Sequence, residues 1–335
     1  MELSTEYLGL ALRNPLVASA SPLSSTVDGV RRLADAGIGA VVLHSLFEEQ
    51  VRSEAAANAA LADAGSESFA ESLSYFPAAA GEAGPQQYLS LLERAAAAVE
   101  VPVIGSLNGV TPGGWTDYAR AMQDAGAAAI ELNVYYLPGD PHISGREVEQ
   151  RHLDILARVK NAVTVPVAIK LSPYFSSTGE MALRLDEAGA NGLVLFNRFL
   201  QPEIDLDRLT VVSHVGLSSA AEARLPRTWI ALLHGRVNAS LAATTGVATP
   251  EDVAKYLLAG ADVVMTASAL LRHGPEYTTV LLDGLSEWMA RQRFATLHEL
   301  RGLLAVPVGI DEAVYERAGY ATALRNANRG AYEPN

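Results

Sequence analysis

The phrase LADAGIGAVVLHS at residues 33–45 returns as MQDAGAAAIELNV (122–134), LDEAGANGLVLFN (185–197) and LLAGADVVMTAS (257–268). Each copy begins as the end of a helix, stops at Ala-Gly and continues as an apolar run. Glycine just past the last helical turn takes up the left-handed conformation that ends a helix. A short Val-rich run, apolar on both faces, reads as a buried parallel strand. A second phrase, VEVPVIGSLNG (99–109) and VTVPVAIKLSP (163–173), is a helix exit, a proline and another buried strand. LVASA (16–20) and RVNASLAA (236–243) bring the strands to eight between residues 16 and 268. That is one βα unit per roughly 30 residues, the repeat of an eight-fold barrel.

The sequence therefore predicts a single α/β (β/α)8 TIM barrel over residues 1–306, with a tail at 307–335 that reads as helical and then polar. The tail fits an oligomer contact or a surface appendage. Stretches between the strands are amphipathic, as in REVEQRHLDILARVKNAV (146–163). Two segments interrupt the repeat: an acidic, Ala-rich insertion at 48–85 after the second strand, and another at 198–228 after the sixth, with LTVVSH (209–214) as an extra strand. Both follow strand ends, on the face where barrels build their sites, so both are candidate lid elements.

Composition removes whole classes of function. The 335 residues include no cysteine, which excludes disulfides, thiolate-held zinc or iron–sulfur centres and a thiol nucleophile. A net charge of −13 is the wrong footprint for nucleic acid or an anionic membrane. No metal-binding spacing and no GxGxxG fingerprint is present. The N-terminus has no basic region ahead of an apolar stretch, so a cytoplasmic location is expected.

In a barrel, residues at the C-terminal strand ends face the ligand. Here they are Ala18, Ser19 and Ser21; His44 and Ser45; Ser106 and Asn108; Glu131 and Asn133; Lys170 and Ser172; Asn197; Thr244 to Gly246; and Thr266 and Ser268. Lys170 stands out. It lies inside a buried strand, in a chain with only three lysines. A buried ammonium needs an anionic or electron-rich partner, either a ligand or a carboxylate such as Glu131. Asn108, Asn133 and Asn197 must each be satisfied, and a planar heterocycle with amide edges would satisfy them together. Thr244 to Gly246, with Ala267 and Ser268, follow strands seven and eight, where barrels hold phosphates. Thr249-Pro250-Glu251-Asp252 reads instead as a helix N-cap.

Taken together, these residues resemble the dihydroorotate dehydrogenase family, FMN enzymes on a (β/α)8 barrel. The likeness runs from about Leu3 to Leu304, through NPLVASAS, ELNV, VAIKLSPYF, LFN and TTGVATPEDVAKYLLAGADVVMTASAL. The resemblance implies that Lys170 contacts the flavin ring. Asn133 and Asn197 would lie at flavin and substrate. The turn Thr245-Gly246 and the pair Ala267-Ser268 would hold the FMN phosphate. Ala18, Ser19, Ser45 and Asn108 complete the implied cofactor set. By analogy with the cytosolic class, a homodimer is expected.

Departures gather on the substrate side. The family's base is a Cys or Ser in a loop of the form N-[LV]-S-[CS]-P-N. Here that loop reads Asn133-Val134-Tyr135-Tyr136-Leu137-Pro138, with Tyr136 at the base position. A lysine after the second strand is replaced by His44, and an asparagine-rich stretch by something like Ser74-Tyr75-Phe76-Pro77. The implied substrate residues are His44, Ser74, Asn133 and Asn197. A tyrosine is a poorer base than a cysteine near neutrality but a reasonable proton donor. Tyr136 is thus a candidate general acid, in an enzyme that would reduce an activated C=C bond, or a loop filler; His142 is a second candidate. Three functions fit: an FMN oxidoreductase on a dihydropyrimidine-like substrate, an FMN-binding electron-transfer subunit of a larger complex, or a flavin-free lyase or isomerase taking a phosphorylated metabolite. Substrate and electron partner stay open.

Overall fold

The computed structural model describes residues 1–51, 84–111, 115–198, 202–212, 216–310 and 312–328. Its centre is eight parallel strands: β1 Leu16–Ala18, β2 Ala40–Val42, β3 Val103–Gly109, β4 Ala129–Val134, β5 Val167–Leu171, β6 Gly192–Leu195, β7 Ser240–Ala243 and β8 Val263–Thr266. Each pairs with the next, and β8 pairs back onto β1, so the sheet closes. These are the eight strands expected from the repeats, and closure leaves the barrel no edge to protect.

Helices cover the outside: α1 Val27–Asp35, α2 Pro85–Ala98, α3 Trp115–Asp124, α4 Gly145–Ala162, α5 Thr178–Glu187, α6 Arg224–Leu233 and α7 Pro250–Ala259. A short helix, Ser268–His273, and a longer one, Tyr277–Gln292, follow β8. The four repeat glycines, Gly37, Gly126, Gly189 and Gly260, all have φ between 89° and 117°, as helix-stopping residues should. Thr249 caps α7 in a reciprocal box with Asp252, as read from the sequence.

The N-terminal hairpin, Thr5–Tyr7 with Leu10–Leu12, belongs to the same apolar cluster as the barrel interior and closes one end of it. In the second insertion, Thr210–Val212 is the expected extra strand, paired antiparallel with Glu203–Asp205. The first insertion falls mostly outside the described residues. Glu312–Asn328 forms the helix expected in the tail. No described helix is long and apolar enough to cross a membrane.

Candidate functional site

The strand period decides which side chains reach the mouth. Successive residues point to opposite faces of a strand. Val17, Val42, Ile104, Ala129, Ala168, Val194, Ala242 and Val263, one from each strand, belong to the interior apolar cluster. Two residues further along stand Ser19, His44, Ser106, Glu131, Lys170, Phe196, Thr244 and Met265. Along each strand the interior thus turns from aliphatic to largely polar below the C-terminal mouth, at a level that steps with the barrel register: Glu131 pairs with Ala168, and Lys170 with Val194.

Above that level a cleft of about 240 Å³ opens on the side of β5 to β8 and β1. Of the expected residues, Ser19, Lys170, Asn197, Thr245, Gly246, Ala267 and Ser268 line it, together with Ser21, Arg198 and Ser218. Ser19 is 5% exposed, and its hydroxyl has no hydrogen-bond partner among the described residues. Thr245 and Gly246 both adopt left-handed backbone, with φ of 80° and 73°. The Tyr256 hydroxyl, from α7, fixes that turn by donating to the carbonyl of Thr245 at 2.7 Å. Opposite the turn, Ala267 begins the helix Ser268–His273 without a side-chain cap.

Ser218 is the residue that sequence reasoning missed. Its hydroxyl accepts from the Gly246 N–H at 3.1 Å and lies 3.0 Å from the Ser268 hydroxyl, so it joins the two turns expected to hold a phosphate. Two guanidinium groups grip its segment: Arg272 donates to the Ser218 carbonyl at 2.8 Å, and Arg198 to that of Gly216. Arg198 is itself paired with Glu222 at 3.0 Å. These partners come from three places in the chain, and no local pattern announces them.

Lys170 is 9% exposed, and its ammonium lies 3.7 Å from Glu131. The lysine thus lines the cleft and has the carboxylate partner that the sequence offered as one alternative. Asn133, on β4, is the register neighbour of Lys170 on β5 and of Asn108 on β3. The Asn197 side-chain amide donates to the Asn133 side-chain oxygen at 2.6 Å, so the two asparagines already satisfy each other in part.

The β2–β4 side is built differently. The Ser45 and Ser106 hydroxyls are 2.8 Å apart, and neither these nor Asn108 lines the cleft. Ala18 points outward against the helices, because the alternation that turns Val17 inward turns its neighbours out. Ser19 and Ala20 line the cleft in its place. His44 also leaves the mouth. Strand β2 ends at Val42, and the Tyr88 hydroxyl of α2 takes the Ser106 N–H at 2.9 Å. The His44 ring packs edge-on to Tyr88 and lines a separate groove between α1 and α2. Burial there pushes the imidazole below its ordinary pKa, partly offset by a hydrogen bond with the Ser24 backbone. Ser74 lies outside the described residues.

Tyr136 sits in the loop after β4, half-buried, with the Arg151 guanidinium 4.0 Å above its ring centre. Arg151 in turn donates to the Val110 carbonyl at 3.2 Å. Glu48, only 8% exposed, accepts from the backbone N–H groups of Val110 and Thr111 at 2.8 and 3.1 Å. His142 is exposed, its N–H bound to Asp140.

A barrel mouth with a polar floor, one buried lysine and paired backbone turns after β7 and β8 agrees with what comparison with known proteins finds. Residues 2–289 match the family model described as dihydroorotate dehydrogenase. The catalytic subunit of dihydroorotate dehydrogenase B (NAD(+)) from Methanothermobacter thermautotrophicus is 27% identical, over 90% of this chain and 98% of the relative. Its counterpart from Listeria monocytogenes is 31% identical over 60% of this chain and 68% of the relative. The NAD-dependent dihydropyrimidine dehydrogenase subunit PreA of Escherichia coli is 26% identical over 90% of this chain and 76% of the relative. With the family model spanning the barrel from its N-terminal hairpin to the helix after β8, the chain belongs to the dihydroorotate dehydrogenase family.

Proposed function

We propose that the chain is an FMN-dependent oxidoreductase acting on a CH–CH bond of a small, planar, amide-bearing substrate such as a dihydropyrimidine. The observation that carries this is the cleft itself. It combines an orphaned buried hydroxyl at Ser19, an ammonium at Lys170, and a left-handed Thr245-Gly246 turn facing an uncapped helix start. That donor set fits a phosphorylated, electron-poor ring. Gly246, Ala267 and Ser268 would hold the phosphate, with Ser218 joining their turns; Lys170, Asn133, Asn197 and Ser19 would hold the ring. FMN, when bound, would supply hydride acceptance or donation.

The chain's own residues do the rest. Lys170 offers positive charge where the ring gains electrons. Asn133 and Asn197, already joined, present amide edges to ring or substrate. Tyr136, whose ring lies under Arg151, would give a proton to substrate carbon in the reductive direction.

The test is an absorbance spectrum of the purified protein, then anaerobic titration with dihydroorotate. A yellow protein bleached by the titrant supports the reading on that substrate; a colourless protein that takes up no added FMN refutes it. A Tyr136→Phe variant with undiminished turnover removes Tyr136 from the mechanism. The relatives named as subunits support a second reading, in which the barrel exchanges electrons with a partner protein. A flavin reduced by a redox partner and by no small substrate would favour it. We place the protein in the cytoplasm as a homodimer, to be checked by fractionation and by light scattering.

A further inference from the structure

The reading above leaves Glu131 without a task. It projects into the barrel interior on β4, one layer below Asn133, and is 1% exposed. Neither carboxylate oxygen has a hydrogen-bond partner among the described residues. What it has is Lys170, 3.7 Å away on the neighbouring strand, whose ammonium faces the cleft. On the other side lies the plug of the N-terminal hairpin. Its Tyr7 hydroxyl is also buried without a partner, and its phenol is held well above the usual range by burial, then by the charges of Glu131 and Asp262. A charged carboxylate in such a place is expensive unless a counter-charge answers it. A barrel needing only a packed layer here would carry an aliphatic residue, as it does one level below.

We propose that Glu131 is a positioning residue for Lys170, holding its ammonium at the floor of the cleft and offsetting part of the positive charge that the floor presents to a bound ring. The inference rests on the flavin reading for the identity of that ring, but the pairing itself does not. The carboxylate fixes where the ammonium sits, because no hydrogen-bonded alternative for the ammonium is found among the described residues. It also fixes how strongly the site favours a ring that gains negative charge, because two opposite charges this close are felt from the cleft as a reduced one.

The experiment compares wild type, E131Q, K170M and E131Q/K170M. Melting of the four apoproteins tests the pairing. K170M strands a buried carboxylate and should melt roughly 4–7 °C lower; adding E131Q should restore most of that loss. The midpoint potential of bound FMN, measured against a reference dye, tests the charge role. E131Q should shift it upward, K170M downward, and the double variant should return close to wild type. If E131Q alone does not fold, the double variant must still lie above K170M. A restored melt with no shift in potential would make the pair structural and overturn the proposal, as would a K170M protein that E131Q does not rescue. Failure of wild type to bind FMN appears before any variant is made and refutes the functional reading separately.

Discussion

Gly246→Ala is the sharpest test of the phosphate turn. At φ = 73° the backbone is left-handed, which costs an L side chain about 1–2 kcal/mol. The added methyl would lie 2.6 Å from the Ala223 backbone nitrogen, 2.8 Å from the Ser219 carbonyl oxygen and 2.8 Å from the Ala223 Cβ. Two of those neighbours are backbone and cannot rotate away. The segment 219–223 must therefore shift, and overpacking of this kind costs about 1–3 kcal/mol. Together the terms come to roughly 3 kcal/mol, or two powers of ten in an equilibrium constant.

Where that energy appears depends on the ligand state. The apoprotein can relax by letting the insertion move off the turn, losing the Gly246 to Ser218 hydrogen bond. A bound phosphate would demand the original geometry and take the cost from affinity. Apoprotein melting and quenching of FMN fluorescence should therefore share the loss, with affinity down tenfold or more. Gly309→Ala is the control: it has φ = 93° and nothing within 4 Å of the added methyl, so it carries the backbone strain without the clash. It should leave FMN binding unchanged. A Gly246→Ala protein that binds FMN and melts like wild type would refute the assignment of this turn.

Three further outcomes are expected. His152, buried in α4 with its Nδ1 bound to the Val148 carbonyl, has its pKa lowered by burial, opposed by that hydrogen bond. Because the unfolded chain then binds the extra proton, stability is fully present above the ordinary value of 6.5 and falls as pH drops below it. His152→Phe should flatten that fall in urea midpoints between pH 7.5 and 5.5, and an unchanged slope would be the contrary result. Asn197→Ala leaves the Asn133 side-chain oxygen without its donor; about 1–3 kcal/mol should be lost in thermal melts of the apoprotein, whereas an unchanged melt would mean water serves it equally well. Glu48→Ala removes the acceptor of the Val110 and Thr111 N–H groups, which should speed their hydrogen exchange by about 100-fold if some 2.7 kcal/mol of local stability goes with it.

Much of the fold was legible because its signals are local. A glycine that ends a helix and a Val-rich run that follows it lie side by side in the chain, so four strands could be read from that phrase, two from the proline phrase, and eight counted in all. Lys170 was legible for a related reason: its polar side chain interrupts an apolar strand. Ser218 and Arg272 gave no such signal. Each matters because the second insertion folds back between β7 and β8, a contact across about 50 residues. The outward turn of Ala18 followed from strand alternation and could have been read. His44 instead falls in the gap between two stretches paired with β3, Ala40–Val42 and Leu46–Phe47, where the hydroxyl of Tyr88, 44 residues away, takes the Ser106 N–H.

The two sides of the mouth therefore differ in material as well as in residue type. On the β5–β8 side, the strands and their following turns make the site directly, and much of the binding geometry is backbone: the left-handed pair at 245–246 and the helix start at 267–268. Backbone geometry tolerates many side chains, so its sequence signature persists where its shape does. On the β2–β4 side, side chains borrowed from neighbouring elements do the building: Tyr88 in place of a strand partner, Arg151 over Tyr136, and Glu48 under the loop after β3. Such a site can be altered one side chain at a time without disturbing the closed sheet beneath it. That is where the departures from the family loop fall, Tyr136 among them, while the motifs shared with the family gather on the backbone-built β5–β8 side.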